Sequence, residues 1–362
     1  MSDPEPILSV SRIEQWLRTS EPQALDALWR RADVVRAATV GNAVHLRGLV
    51  EIGNHCIRRC TYCGLNAAHA ALERYRMNRE EILDVALQIA DRGYGTIVIQ
   101  GGEDPGIEAE WLAGIIAEIK QRTPLAVTLS LGERAETDLA CWRRAGVDRY
   151  LLRWETSDTD LYRAIHPPGP SWTGTRIELL AVLRRLGYEV GGGVMVGLPG
   201  QTWTSLARDI ALFAELDLDM IGLGPYIPHP DTPLGRGQVN LPPTDPADQV
   251  PGTDTMTYKV LALARIVCPE ANIPATTALA TVDPNHGRAL ALQRGANVIM
   301  PDFTPEPYRS QYQIYPGKSS TAKADAGQGI ERLIRQLGRT IGIGPGGRQR
   351  RPQARVQRHP VE

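Results

Sequence analysis

The chain has 362 residues, 40 Lys+Arg against 41 Asp+Glu, and 42% hydrophobic and 22% charged residues. That balance excludes a largely disordered chain, and a formal net charge of −1 gives no global drive toward nucleic acid or an anionic membrane. No window approaches 18 consecutive apolar residues, so no membrane span is expected.

The N-terminus, MSDPEPILSVSRIEQWL, is acidic and lacks the basic-then-apolar pattern of a signal peptide, so a cytoplasmic location is expected. Residues 1–40 read as a helical segment. Ser11 is placed to cap one helix through Ile13, Trp16 and Leu17, and a second starts at Pro22 with Leu25, Leu28, Trp29 and Ala32 at helical spacing. Beyond residue 40, β-rich runs alternate with amphipathic stretches. The runs are Val44–Ile52, Thr96–Gln100, Ala126–Leu131, Arg149–Arg153, Val190–Val196, Met220–Gly224, Asn272–Thr276 and Ala296–Met300. Helical stretches such as Arg79–Asp91, Glu108–Gln121 and Ser205–Leu216 lie between them. This alternation predicts a (β/α)8 TIM-type barrel over residues 41–343, with N-terminal helices added. An open doubly wound sheet competes, but the dinucleotide fingerprint after the first strand is absent. The Pro-rich stretch Leu241–Thr255 reads as a long loop within the same domain. Residues 344–362 are Arg-rich without apolar period and read as a disordered basic tail.

Three of the five cysteines fall in Cys56-Ile-Arg-Arg-Cys60-Thr-Tyr62-Cys63-Gly64, directly after the first predicted strand. Three thiolates so spaced can wrap a compact cluster and leave one iron free for an exogenous ligand. A zinc knuckle completed by His55 or His69 is the competing reading. The run Gln100-Gly101-Gly102-Glu103 leaves the second strand, where the glycines would let backbone approach a ligand. Ser130 and Glu155 end strands three and four at the C-terminal mouth, where barrel active sites are built. Arg153 and Glu155 lie two apart and should both point inward. Gln100, Thr128, Arg153, Thr276, Thr277 and Tyr308 put hydrogen-bonding groups at strand ends where Val, Ile and Leu are usual, so they predict a pocket. Met195 and Met300 read as core or cavity wall.

The CxxxCxYCG motif after strand one resembles the radical S-adenosylmethionine (SAM) superfamily. Within it, RYRMNREEI (74–82), IVIQGGEDP (97–105), DRYLLRWET (148–156), MVGLPGQT (195–202), GLGPYIPHPDTPL (222–234) and RGANVIMPDFTPEPYRSQYQIYPGK (294–318) resemble the HydE family of [FeFe]-hydrogenase maturases. Methylornithine synthases and biotin synthases are further relatives on the same barrel. The resemblance implies a [4Fe-4S] cluster on Cys56, Cys60 and Cys63, with SAM chelating the unique iron. It implies that SAM is held by Tyr62, Gly101, Gly102, Glu103, Ser130, Glu155 and Arg176, and that Gln100, Thr128, Arg153, Thr276, Thr277 and Tyr308 line the substrate cavity. The implied substrate is a small iron complex bearing cysteine, CO and cyanide. The implied partners are an electron donor such as ferredoxin or flavodoxin and the other hydrogenase maturases. A methylornithine-synthase-like rearrangement, or another radical SAM reaction on a small sulfur-containing molecule, is the alternative. A bare cluster carrier would have no need of the Glu103, Glu155 and Arg176 constellation. Many HydE proteins carry C-terminal cysteines for an accessory cluster; residues 318–330 here contain none, so no accessory cluster is expected.

Overall fold

In chain order the elements are α1 (Val10–Arg18), α2 (Pro22–Thr39), β1 (Ala43–Gly53), α3 (Arg79–Asp91), β2 (Thr96–Gly101), α4 (Ala109–Arg122), β3 (Ala126–Ser130), α5 (Glu136–Ala145), β4 (Arg149–Leu151), α6 (Thr159–Ile165), α7 (Arg176–Arg185) and β5 (Glu189–Gly192). The second half holds β6 (Met195–Val196), α8 (Trp203–Glu215), β7 (Met220–Ile221), β8 (Gly224–Pro225), α9 (Asp254–Val267), α10 (Thr277–Val282), α11 (Gly287–Gln293), β9 (Val298–Ile299), α12 (Glu306–Arg309), a helix at Gly329–Gln336 and β10 (Thr340–Ile341). The computed structural model describes residues 8–318 and 329–350.

β1 pairs with β2, and pairing runs on through β3, β4, β5 and β7, all parallel. Single bridges from Met220 to Asn272 and from Pro274 to Val298 continue it. β9 then pairs with β1, so the sheet closes into the predicted barrel. The expected strand at 272–276 is reduced to those bridges. The expected strand over 190–196 is split, because the chain at Gly193 runs so close to Gly222 that a Cβ would sit 1.8 Å from the Gly222 carbonyl oxygen. Beyond this break β6 and β8 form a small parallel pair.

The helices begin where their caps dictate. Asn78 and Glu81 form a reciprocal capping box at α3, and Thr175 and Glu178 form another at α7. Ser9, not Ser11, caps α1, since its hydroxyl accepts from the Arg12 amide. The two N-terminal helices lie on the outside of the barrel, α1 against α8 and α2 against α9.

Period-2 alternation on β1 turns Arg47, Leu49 and Glu51 inward, and on β2 and β3 it does the same for Gln100, Thr128 and Ser130. The barrel interior is therefore a chamber with charged and polar groups set among apolar side chains.

The expectation of a solvated tail from residue 344 is corrected for residues 344–350, which close the N-terminal end of the barrel. The Pro345 carbonyl accepts from Thr96 and Arg149, and the Gly346 carbonyl accepts from Arg47 and Asn272. Arg348 and Arg350 clamp Asp217 and Asp219 outside the plug. A Gly-rich segment has little side-chain bulk, so its carbonyls can reach buried donors. Residues 351–362 lie outside the described residues. Deleting residues 344–362 is expected to destabilise the chain by about 2–5 kcal/mol, from several hydrogen bonds and the donors left bare. Urea denaturation measures it; an unchanged midpoint would show that the plug is ornamental.

Candidate active site

The cysteine loop runs from β1 to α3 and is held from inside. Asn54, fully buried, donates to the carbonyls of Glu73 and Gln311 and accepts from the Tyr75 amide. Arg74 donates to the carbonyls of Asn54, Leu65 and Asn66. Gly102 is a glycine because the cysteine loop presses on it: a Cβ there would lie 2.1 Å from the His55 carbonyl oxygen and 2.8 Å from the Cys56 Cβ. Packing against the loop, rather than approach to a ligand, sets this residue.

The loop delivers Cys56, Cys60 and Cys63 to the wall of a cavity of about 240 Å³ at the C-terminal mouth. Tyr62, Gln100, Gly101, Gly102, Glu103, Ser130, Arg153, Glu155 and Arg176 line the same cavity, so the barrel brings the expected cosubstrate residues together. A second chamber of about 180 Å³ lies beneath and shares Gln100, Ser130 and Arg153 with the first. Thr128, Thr276 and Thr277 line it. Tyr308 is the exception and is corrected. It sits on α12, donates its hydroxyl to Glu81 at 2.7 Å and stacks on Tyr75, while Tyr312 and Tyr315 line the upper cavity instead. Arg153 and Glu155 lie beyond the short β4, not on it. Glu155 has a positive φ of 67°, a strained conformation for a non-glycine residue and one that clusters at functional sites. Arg153 Nη2 approaches its Oε2 to 2.9 Å.

Beside the cysteines lies a buried network that sequence reasoning missed. Glu133 accepts from Arg58 Nη1 at 2.8 Å and from Arg176 Nε at 2.9 Å. His166 Nε2 is 3.4 Å from the same carboxylate, and its Nδ1 is 3.1 Å from Cys60 Sγ and 3.2 Å from the Tyr62 hydroxyl. Arg176 also donates to the Arg153 carbonyl, so it ties α7 to the strained 153–155 turn. Glu103 accepts from the Glu133 amide at 2.9 Å. Burial opposes charge on Glu133, but the His166 hydrogen bond and the Arg176 and Arg58 charges prevail and hold its pKa at about 2. Burial, then the Arg176 charge, depress His166 to about 3, so its ring is neutral. The signal for Glu133 is its place in LSLGE, just past strand three.

Burial raises the Cys56 thiol, lifts Cys60 to about 12 and raises Cys63 as well. Thiols so placed become thiolates only when a cation binds them. Among the described residues no three His, Cys, Asp or Glu side chains converge where one metal ion would fit, although the three thiols share one cavity wall. Separate thiolate corners suit a cluster, and His69 is turned to the Gly64 carbonyl.

The sequence profile of the Radical SAM superfamily matches residues 50–228. The chain is 45% identical over 327 residues to the "[FeFe] hydrogenase maturase subunit HydE" of Thermotoga maritima, an alignment spanning 90% of this chain and 89% of that protein. The chain belongs to the HydE family of the radical SAM superfamily. As a radical SAM enzyme, this HydE relative uses a [4Fe-4S] cluster and SAM. It is also 26% identical to a "3-methylornithine synthase" of Methanosarcina acetivorans, over 81% of this chain and 79% of that one. The crystal structure of methylornithine synthase (PylB) shares the fold, with a TM-score of 0.74 at 23% identity, covering 93% of the HydE relative and 95% of PylB.

Proposed function

We propose that the chain is a maturase of the [FeFe]-hydrogenase diiron site, acting on a small iron complex that carries cysteine, CO and cyanide. The observation that supports this most is the union of a three-thiol wall and an inner chamber carrying charged and hydroxyl groups in a chain 45% identical to a maturase along nearly its whole length. Cys56, Cys60 and Cys63 hold the cluster. When bound, it supplies the electron for reductive cleavage of SAM. Tyr62 flanks the adenine, Glu103 and the backbone at Gly101 and Gly102 receive the SAM ammonium, and Arg176 meets its carboxylate. Ser130 and Glu155 complete the cosubstrate contacts. Gln100, Thr128, Arg153, Thr276 and Thr277 orient the substrate below. Ferredoxin or flavodoxin supplies electrons, and the other maturases are partners. No described helix is long and apolar enough to cross a membrane, and the proposed location is the cytoplasm. The test is a reconstituted hydrogenase maturation mixture lacking its HydE component. Addition of this chain is expected to restore hydrogen evolution; failure to restore it, with conversion of lysine to 3-methylornithine, would move the chain to the mutase reading.

Arg176→Ala is expected to keep its iron but raise the SAM concentration for half-maximal 5′-deoxyadenosine formation by about ten- to a hundredfold, since a charge-assisted hydrogen bond contributes about 1.5–3 kcal/mol. Glu133 keeps Arg58 as a partner in this variant, so the fold should hold. An unchanged SAM dependence removes Arg176 from the cosubstrate contacts.

We also propose that the chain has no accessory cluster. Cys268 is buried at the end of α9 and Cys141 lies in α5, on different elements. The Cys141→Ala/Cys268→Ala double variant should bind as much iron as the native chain; a fall to about half would reveal a second cluster.

A further inference from the structure

The lower chamber carries a charged pair that the proposed chemistry leaves unused. Glu51, fully buried on β1, lines this chamber, and so does Lys318 from the segment that follows α12. Lys318 Nζ lies 2.5 Å from Glu51 Oε1 and 4.0 Å from Asp302 Oδ2. That ion pair occupies Oε1; Oε2 has no hydrogen-bond partner among the described residues. Three more buried polar atoms on the same chamber lack partners, Arg47 Nε, Thr128 Oγ1 and Arg153 Nε. Buried polar atoms without partners are rare in folded proteins. Several around one chamber imply a ligand that supplies the missing partners.

The types of bare atom define that ligand. A carboxylate only accepts, a guanidinium only donates, and a hydroxyl does either. The ligand must therefore bring an N–H or O–H donor toward Glu51 and acceptors toward Arg47 and Arg153. Glu51 already has a cation on Oε1, so what Oε2 lacks is a directed donor, and an ammonium group offers three.

We propose that Glu51, with Lys318 as its counter-ion, forms the subsite that receives an amine nitrogen of the substrate. The inference rests on the reading above that the lower chamber is the substrate cavity, and it makes a free amine a requirement of the substrate class.

The test is calorimetric titration of the reconstituted holoenzyme, with SAM present, using L-cysteine and 3-mercaptopropionate as probes. The second probe keeps the thiol and carboxylate and lacks only the amine. The native enzyme is expected to bind L-cysteine at least about tenfold more tightly, the scale of a charge-assisted hydrogen bond. Glu51→Gln should bring the two affinities within about twofold. The Glu51→Gln/Lys318→Met double variant should do the same. It removes both charges together, which a fold tolerates better than losing one partner of a buried pair, so it serves where Glu51→Gln fails to fold. Equal affinities in the native holoenzyme, binding of neither probe, or an amine preference that survives Glu51→Gln overturns the subsite. Iron content and 5′-deoxyadenosine yield are read on the same samples. A native sample that fails to cleave SAM sinks the underlying reading; intact cleavage without amine preference sinks only this inference.

Discussion

Cys60→Ala is expected to lose essentially all of its iron. Anaerobically reconstituted native protein should bind about four iron and four sulfide per chain, because the proposed ligands, three thiols on one cavity wall, would hold a four-iron cluster with one iron open. Removing one leaves two ligands for a cluster that needs three, and SAM cleavage should cease. Iron and sulfide assays, the visible charge-transfer absorption and 5′-deoxyadenosine formation measure the three consequences. Cys60 is the informative choice because its thiol also faces His166 at 3.1 Å. If the native protein instead took up one zinc ion and showed no cluster absorption, the assignment of the three thiols would fail.

Glu133→Ala is expected to be the most damaging substitution outside the cysteines. The carboxylate stands between Arg58 and Arg176 and beside His166, all buried. Without it two guanidinium groups face each other in a site that water barely reaches. Breaking a buried ion pair from one side costs about 3–5 kcal/mol, and Arg176 and the 153–155 turn lose their anchor. Stability should fall by that amount in urea denaturation, and SAM cleavage should fall with it. Glu133→Gln should be milder, because the amide still accepts one hydrogen bond. The folded pKa of about 2 lies below the ordinary 4.5, so the native Glu133 contributes stability above about pH 4.5 that is lost as the pH falls toward 2. The Gln variant should lack that acid-dependent component. A Glu133→Ala protein with native stability and native SAM dependence would refute the network's role.

The barrel was legible because its early strands are β-rich runs that alternate apolar with a few polar residues, and several of its helices carry side-chain caps. β1, β2 and β3 fall within a residue or so of where the pattern places them. Legibility falls where backbone conformation departs from regular pairing. β4 stops at Leu151, and the turn to Glu155 takes a left-handed residue that no side-chain pattern announces. The cysteine motif picks out three thiols on one compact loop, and all three reach one cavity wall. Its supports could not be read the same way: Glu133 and His166 are far from it in sequence and meet it only through the barrel's closure. The stretch PEPYRSQYQIYPGK holds three tyrosines, and sequence gives no rule for which of them turns inward once α12 interrupts it. Tyr312 and Tyr315 do so, and Tyr308 packs outside. The tail was misread for a physical reason too. Gly-Pro-Gly-Gly has the composition of disorder, and only the folded barrel reveals the buried donors waiting for its carbonyls.

Among the described residues, the plug at residues 344–350 closes one end of the barrel and leaves the C-terminal mouth as the way in. The barrel's floor is Arg47 and Asn272 tied to the Gly346 carbonyl, and both also line the lower chamber. Traffic to that chamber passes the cysteine wall above it. SAM in its proposed seat would cork that exit, so a compound in the lower chamber would enter first and leave last. Such an order sequesters whatever is made below until the nucleoside has gone, which suits a product too reactive to meet water.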